Sequence, residues 1–191
     1  IVQNLSSISN AKDETVENTS AALDLPEVNQ ALSEVQEQIQ RHISAKNELE
    51  VEAYTDSITK LDNRNRFIQY FDEQGKSLFG VLTITRCSEL QNINQIHGYS
   101  EGDKYIKKVS DIIKNSATRY PSAQIFRLNS SDFATILPNT TLQDAEKFAE
   151  SITNDFNMYQ STAEYDSIGY TGLVAFDKDM PLGEMLALAD T

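Results

Sequence analysis

Arg127-Leu128-Asn129-Ser130-Ser131-Asp132-Phe133-Ala134-Thr135-Ile136-Leu137-Pro138 is the stretch on which the fold turns. Two hydrophobic runs, Ile125 to Leu128 and Phe133 to Leu137, flank a short polar turn, which predicts a β-hairpin. Before it, the spacing predicts a helix over Asn63 to Asp72 with Phe67, Ile68 and Phe71 on one side. Leu78 to Thr85 is apolar and β-branched without strict alternation, so a strand buried on both faces is predicted. A short helix is predicted from Ser88 to Ile96, with Gly98 breaking it. The next runs from Glu101 to about Ser116, with Ile106, Val109 and Ile113 inward. After the hairpin come a helix from Leu142 to Met158, using Ala145, Phe148, Ile152 and Phe156, and a strand from Tyr165 to Phe176. A last helix starts over Leu182 to Ala189. Helices alternating with strands around one hairpin predict an α/β sheet covered by helices.

The chain has 191 residues, enough for one domain and an appendage. It begins at Ile1 and stops at Thr191 inside a helical pattern, so a soluble piece of a longer protein is expected. No apolar run approaches the roughly 18 residues that span a bilayer. The single Cys87 excludes an internal disulfide and fits a reducing compartment. His42 and His97 are too far apart for zinc spacing, and no cofactor is expected. A formal net charge of -13 argues against a nucleic-acid surface, which needs clustered Lys and Arg. Lys104, Lys107 and Lys108 share a helix but read as a solvated face, and the tyrosines form no stacking platform.

Residues 1–25, rich in Ser, Asn, Ala and acids, read as a weakly ordered lead or the remnant of an upstream module. From Pro26 a heptad pattern takes over and carries residues 26–55. Leu32, Ile39, Lys46 and Ala53 recur every seven residues, and Val28, Val35, His42 and Leu49 recur beside them. His42 and Lys46 interrupt the seam and could fix its register. A parallel homodimeric signalling helix is the first reading of Val28, Leu32, Val35, Ile39, His42, Lys46 and Leu49. A single amphipathic helix folded back on the domain is the other.

Residues 56–191 carry motifs of a known family. Asp56-Ser57-Ile58-Thr59-Lys60-Leu61-Asp62-Asn63-Arg64 suits a turn and a helix start. Asp56 and Asn63 can accept backbone N–H bonds there, and Arg64 can pair with Asp56. Arg86-Cys87-Ser88-Glu89-Leu90-Gln91-Asn92-Ile93-Asn94-Gln95 follows, then Gly98-Tyr99-Ser100-Glu101-Gly102-Asp103, without a gap. Together with the hairpin, this resembles the GGDEF domain of diguanylate cyclases, whose hairpin frame is Arg-x-Gly-Gly-(Asp/Glu)-Glu-Phe. The resemblance implies a nucleotide-cyclase-like central sheet with surrounding helices, preceded here by a long N-terminal helix.

It also implies which positions should carry chemistry. Cyclic di-GMP synthesis needs two metal ions to activate a 3′-hydroxyl and neutralise phosphates. The family's strand-end metal carboxylate falls on Arg86, its hairpin metal carboxylate on Ser131, and its paired glycines on Asn129 and Ser130. Asp132 keeps the last acid of the turn, Phe133 keeps the aromatic, and Gln91 stands at the phosphate-contacting lysine. Glu89 is the nearest other acid, with an outward direction expected. No metal site and no cyclase activity are expected. Asn94 and Asp103 match the guanine-contacting pair; alternatively they cap local structure. The family's product-inhibition motif, Arg-x-x-Asp, falls on Tyr120 to Ala123, where both members are missing.

These replacements resemble the degenerate GGDEF domains of the CsrD/MshH family. The resemblance implies a parent protein anchored in the bacterial inner membrane, with this domain on the cytoplasmic side and a downstream EAL-like domain. It implies a role with RNase E in the decay of small RNAs that sequester CsrA. The expected job is scaffolding and relay, without direct nucleic-acid contact by this stretch. The competing expectation is GTP held as an allosteric ligand through Asn94 and Asp103. Cys87 reads as a packing residue and His97 as a helix end.

Overall fold

The structure, a computed structural model, describes residues 26–74, 79–163, 167–177 and 179–189. The expected lead over residues 1–25, and the expected strand starts at Leu78 and Tyr165, lie outside them. The chain divides into two compact units, Ile1–Leu49 and Glu50–Thr191.

Helix α1, Pro26–Tyr54, starts on a proline, whose fixed φ suits the first helical turn. Val28 is half-buried, while Leu32, Val35, Ile39, His42, Lys46 and Leu49 are exposed along it. Glu37 and Arg41 form an exposed ion pair one turn apart at 3.4 Å.

In the second unit, β1 (Asp62–Asn63), α2 (Arg64–Gln74), β2 (Gly80–Cys87), α3 (Leu90–His97) and α4 (Tyr99–Ala117) come first. The hairpin β3 (Gln124–Arg127) and β4 (Asp132–Pro138), then α5 (Leu142–Ala163), β5 (Gly169–Phe176) and α6 (Leu182–Ala189), complete it. The five strands lie in the order β1-β3-β4-β2-β5. β2 is an interior strand, antiparallel to both β4 and β5, and β1 runs parallel to β3.

Successive residues of a strand face opposite sides, and the sequence uses both sides. Val81 on β2 and Phe133 and Leu137 on β4 join a core with Tyr105, Ile106, Val109, Phe148 and Ile152 of α4 and α5. Leu82 and Ile84, with Ala134 and Ile136, join a second core with Phe67 and Phe71 of α2 and Met185 of α6. Strand β2 is buried on both faces, as its continuous apolar run requires. Between α3 and α4 the chain turns through Gly98 at φ 86°, a conformation that a side chain would strain.

Several local expectations are corrected. The opening segment contains a two-residue strand, β1, that no periodicity could announce; pairing with Phe126 and Arg127 creates it. The helix therefore starts at Arg64 rather than Asn63. Ile68 is 40 % exposed, because the inward stripe of α2 runs through Phe67 and Phe71, one turn apart. The helix begins at Leu90 rather than Ser88, α4 begins at Tyr99, and α5 continues past Met158 to Ala163.

Candidate functional site

The hairpin turn is built from its own polar side chains. Asn129 Oδ1 accepts from the backbone N–H groups of Ser131 and Asp132, both at 2.9 Å, which closes an Asx-type turn. Asn129 Nδ2 donates to Asp132 Oδ2 at 2.8 Å, and Ser131 Oγ donates to Asp132 Oδ1 at 3.2 Å. The backbone carbonyls of the turn are taken as well. Arg127 Nε donates to Asn129 O at 3.1 Å, Arg127 Nη2 to Ser130 O at 3.0 Å, and the Cys87 N–H to Ser131 O at 2.8 Å.

Arg127 is 8 % exposed, so its charge needs a partner. Its Nη1 donates to both oxygens of Asp56, at 3.0 and 3.1 Å. Asp56 Oδ1 also accepts from the N–H groups of Ile58 and Thr59 and from the Thr59 hydroxyl. Arg127, not Arg64, is therefore the partner of Asp56. Burial pushes the Asp56 carboxyl up, but the Thr59 and Arg127 contacts outweigh it and hold it below the ordinary carboxylate value.

Arg86, at the end of β2, stands in register with Asp132 on one side and Tyr170 on the other. Its Nε and Nη2 donate to the two oxygens of Asp132 at 2.9 and 3.1 Å, a bidentate fork. Its Nη1 donates to the Tyr170 hydroxyl at 3.3 Å. The strand-end arginine and the last turn acid thus form one brace across β4, β2 and β5. Burial raises the Asp132 carboxyl, while hydrogen bonds from Arg86, Asn129 and Ser131 bring it, on balance, below its ordinary value.

On the α3–α4 side of the sheet a cleft of ≈ 620 Å³ opens beside the turn, lined by Gln91, Asn94, Tyr99, Ser130 and Ser131 among others. Asn94 packs its side-chain oxygen so close to Gly102 that a Cβ there would meet it at 1.9 Å. Glu89 stands at the N-cap position of α3 without a side-chain capping bond and accepts from Asn92 Nδ2 at 3.0 Å. Among the described residues no three His, Cys, Asp or Glu side chains converge.

The profile of the family described as "Diguanylate cyclase, GGDEF domain" matches residues 53–191. The chain belongs to the GGDEF family. Over 136 residues it is 28% identical to the RNase E specificity factor CsrD of Escherichia coli K12, matching 69% of this chain and 20% of CsrD. It thus spans about a fifth of that relative's length. Among solved structures it is similar to the S helix-GGDEF-EAL form of Vibrio cholerae LapD bound to c-di-GMP. The TM-score is 0.66 at 23% identity, over 80% of this chain and 36% of that one. The coiled coil and GGDEF domain of Caulobacter crescentus DgcB, in complex with c-di-GMP, superposes with a TM-score of 0.73 at 19% identity. It covers 85% of this chain and 90% of that one.

This GGDEF domain brings Arg86, Asn129, Ser131 and Asp132 into one hydrogen-bonded group and leaves Ser130 exposed at the tip. Phe133 turns to the opposite face and is core. Asn94 lines the cleft, whereas Asp103 is half-buried in the second turn of α4, where Gly98 and not Asp103 occupies the N-cap. The Cys87 thiol is buried, which pushes its pKa up to about 12 and leaves it a packing residue. Of two further residues that organise the site, Arg127 was expected only as the first residue of the hairpin frame and Tyr170 was not expected at all. The signal for Arg127 was a basic residue inside an apolar strand run; Tyr170 had none.

The depressed carboxyls of Asp56 and Asp132 set an acid limit. A group whose folded pKa lies below its unfolded value stabilises the fold above the unfolded value, near 3.9, and loses that contribution as pH falls through the folded one. The urea midpoint is expected to hold down to about pH 5 and then to fall steeply below about pH 4. Asp132→Asn should make that fall shallower; an unchanged slope would show that Asp132 contributes nothing to it.

Proposed function

We propose that this is a catalytically silent GGDEF domain that serves as a scaffold and relay in a CsrD/MshH-type protein promoting RNase E-dependent decay of CsrA-sequestering small RNAs. One observation carries the silence: the guanidinium of Arg86 occupies the strand-end position and grips Asp132, the acid retained in the turn. A cation approaching there meets a positive charge first and a carboxylate already engaged by Arg86, Asn129 and Ser131. The 28% identity to CsrD supports the RNA-decay role. Residues 26–55 act as a dimerising lead through Val28, Leu32, Val35, Ile39, His42, Lys46 and Leu49, and residues 56–191 as the relay. A cytoplasmic position beside the inner membrane and a downstream EAL-like domain belong to this same reading; no helix among the described residues is long and apolar enough to cross a membrane.

Incubation with GTP and magnesium should yield no cyclic di-GMP. Grafted into CsrD in place of the matched segment, residues 53–191 should keep small-RNA half-lives short in cells lacking native CsrD. Product formation would sink the silence, and half-lives equal to those of the CsrD-free strain would sink the RNA role.

The cleft lined by Gln91 and Asn94 favours a second reading, GTP held as an allosteric ligand with Asp103 one position beyond Gly102. Calorimetric titration of GTP decides it: heat abolished by Asn94→Ala supports this reading, and no heat removes it.

A further inference from the structure

On the opposite face from that cleft lies a second recess of ≈ 350 Å³, within the size range of small-molecule sites. Its walls come from four separate segments. Phe67 and Ile68 of α2, Ile84 of β2, Leu128 of the hairpin, and Leu182 and Leu186 of α6 supply an apolar body. Arg64, Arg86, Asn129 and Asp132 supply the polar edge. Two guanidinium groups face one carboxylate, leaving one positive charge in excess within a chain of net charge -13. Asp132 is spent on Arg86, Asn129 and Ser131. Arg64 is exposed, and among the described residues its guanidinium has no ion pair or hydrogen-bond partner.

We propose that this recess binds a small organic monoanion with an apolar body, a medium-chain or aryl carboxylate in chemical class, with its carboxylate on Arg64. The apolar walls take the body by the usual gain from removing hydrocarbon from water. The guanidinium fork takes the carboxylate by paired, charge-assisted hydrogen bonds. A single unpaired cation matches one negative charge, and a dianion or a cation finds no complement. An occupant touches Leu128 and Asn129, so its presence bears on the hairpin turn itself. Ile68, apolar yet exposed on α2, forms part of the wall.

The test is calorimetric titration of sodium octanoate, with 2-naphthoate as the aryl probe and octanol as the neutral control, into the full chain at neutral pH. Either carboxylate should bind at one site and octanol more weakly. Arg64→Met should weaken the carboxylate about tenfold, the order expected for a lost charge-assisted contact. Gly183 lines the recess, and a Cβ built on it meets nothing within 4 Å. Gly183→Leu should therefore fill the space, raise helix propensity in α6 and abolish binding, with the thermal midpoint equal or higher. Silence from both carboxylates at millimolar concentration would overturn the site. Unchanged affinity in Gly183→Leu would place the ligand elsewhere, and unchanged affinity in Arg64→Met would remove the anion from the assignment.

Discussion

Arg127→Met should cost the domain about 3–5 kcal/mol, the range for removing one partner of a buried ion pair. For a unit of this size that lowers the thermal midpoint by roughly 10 °C or more. The substitution roughly keeps the volume, so packing is not the cause. Asp56 would lose both contacts from Nη1 and remain half-buried, facing only the N–H groups of Ile58 and Thr59 and one hydroxyl. Asn129 O and Ser130 O would lose their donors too, but they lie at the exposed turn, where water can replace them. Most of the cost therefore sits on Asp56. Adding Asp56→Asn should recover part of the loss, because the stranded charge is gone. Circular dichroism melts of the four proteins in the cycle measure this, and a single-mutant loss under about 1 kcal/mol would reject the ion pair as a structural tie.

Phe133→Ala should be comparably severe, about 3–5 kcal/mol, as for other buried aromatic truncations. Phe133 is 1 % exposed and lies in the core under α4 and α5, while its neighbour Asp132 belongs to the other face. The truncation would leave a hole beneath the strand that holds the turn. Phe133→Leu should cost far less, since most of the volume is kept. Urea unfolding compares the two. Equal, small losses would mean that the site collapses around the gap, and that the aromatic is not what anchors the hairpin.

These two residues also show what the sequence could disclose. Phe133 to Leu137 was readable as an apolar strand run, and Ile106, Val109 and Ile113 as one stripe of a helix, because such patterns belong to the element itself. The hairpin was readable for the same reason, and Gly98 was readable as the break between two helices. Arg127 was not readable as the partner of Asp56. The two are 71 positions apart, and only the parallel pairing of β1 with β3 brings them together. Arg64, eight positions from Asp56, looked the better partner on local distance alone. The brace of Arg86, Asp132 and Tyr170 depends on the register of three strands, which no single stretch encodes. The recess on the α2–α6 side was hidden for a like reason, since each of its walls lies on a separate element.

The amide of Asn63 works at both ends. Its oxygen accepts the N–H groups of Asn65 and Arg66 at the start of α2, and its nitrogen donates to the carbonyl of Ala53 in the last turn of α1 at 2.9 Å. Asn65 Nδ2 reaches the same carbonyl at 3.2 Å. An aspartate at position 63, one heavy atom different, would still serve the first task and would turn the second into repulsion between two oxygens. Asn63→Asp should thus keep the helix start and lose one of two clasps on Ala53, leaving Asn65 Nδ2 as the remaining side-chain donor to that carbonyl.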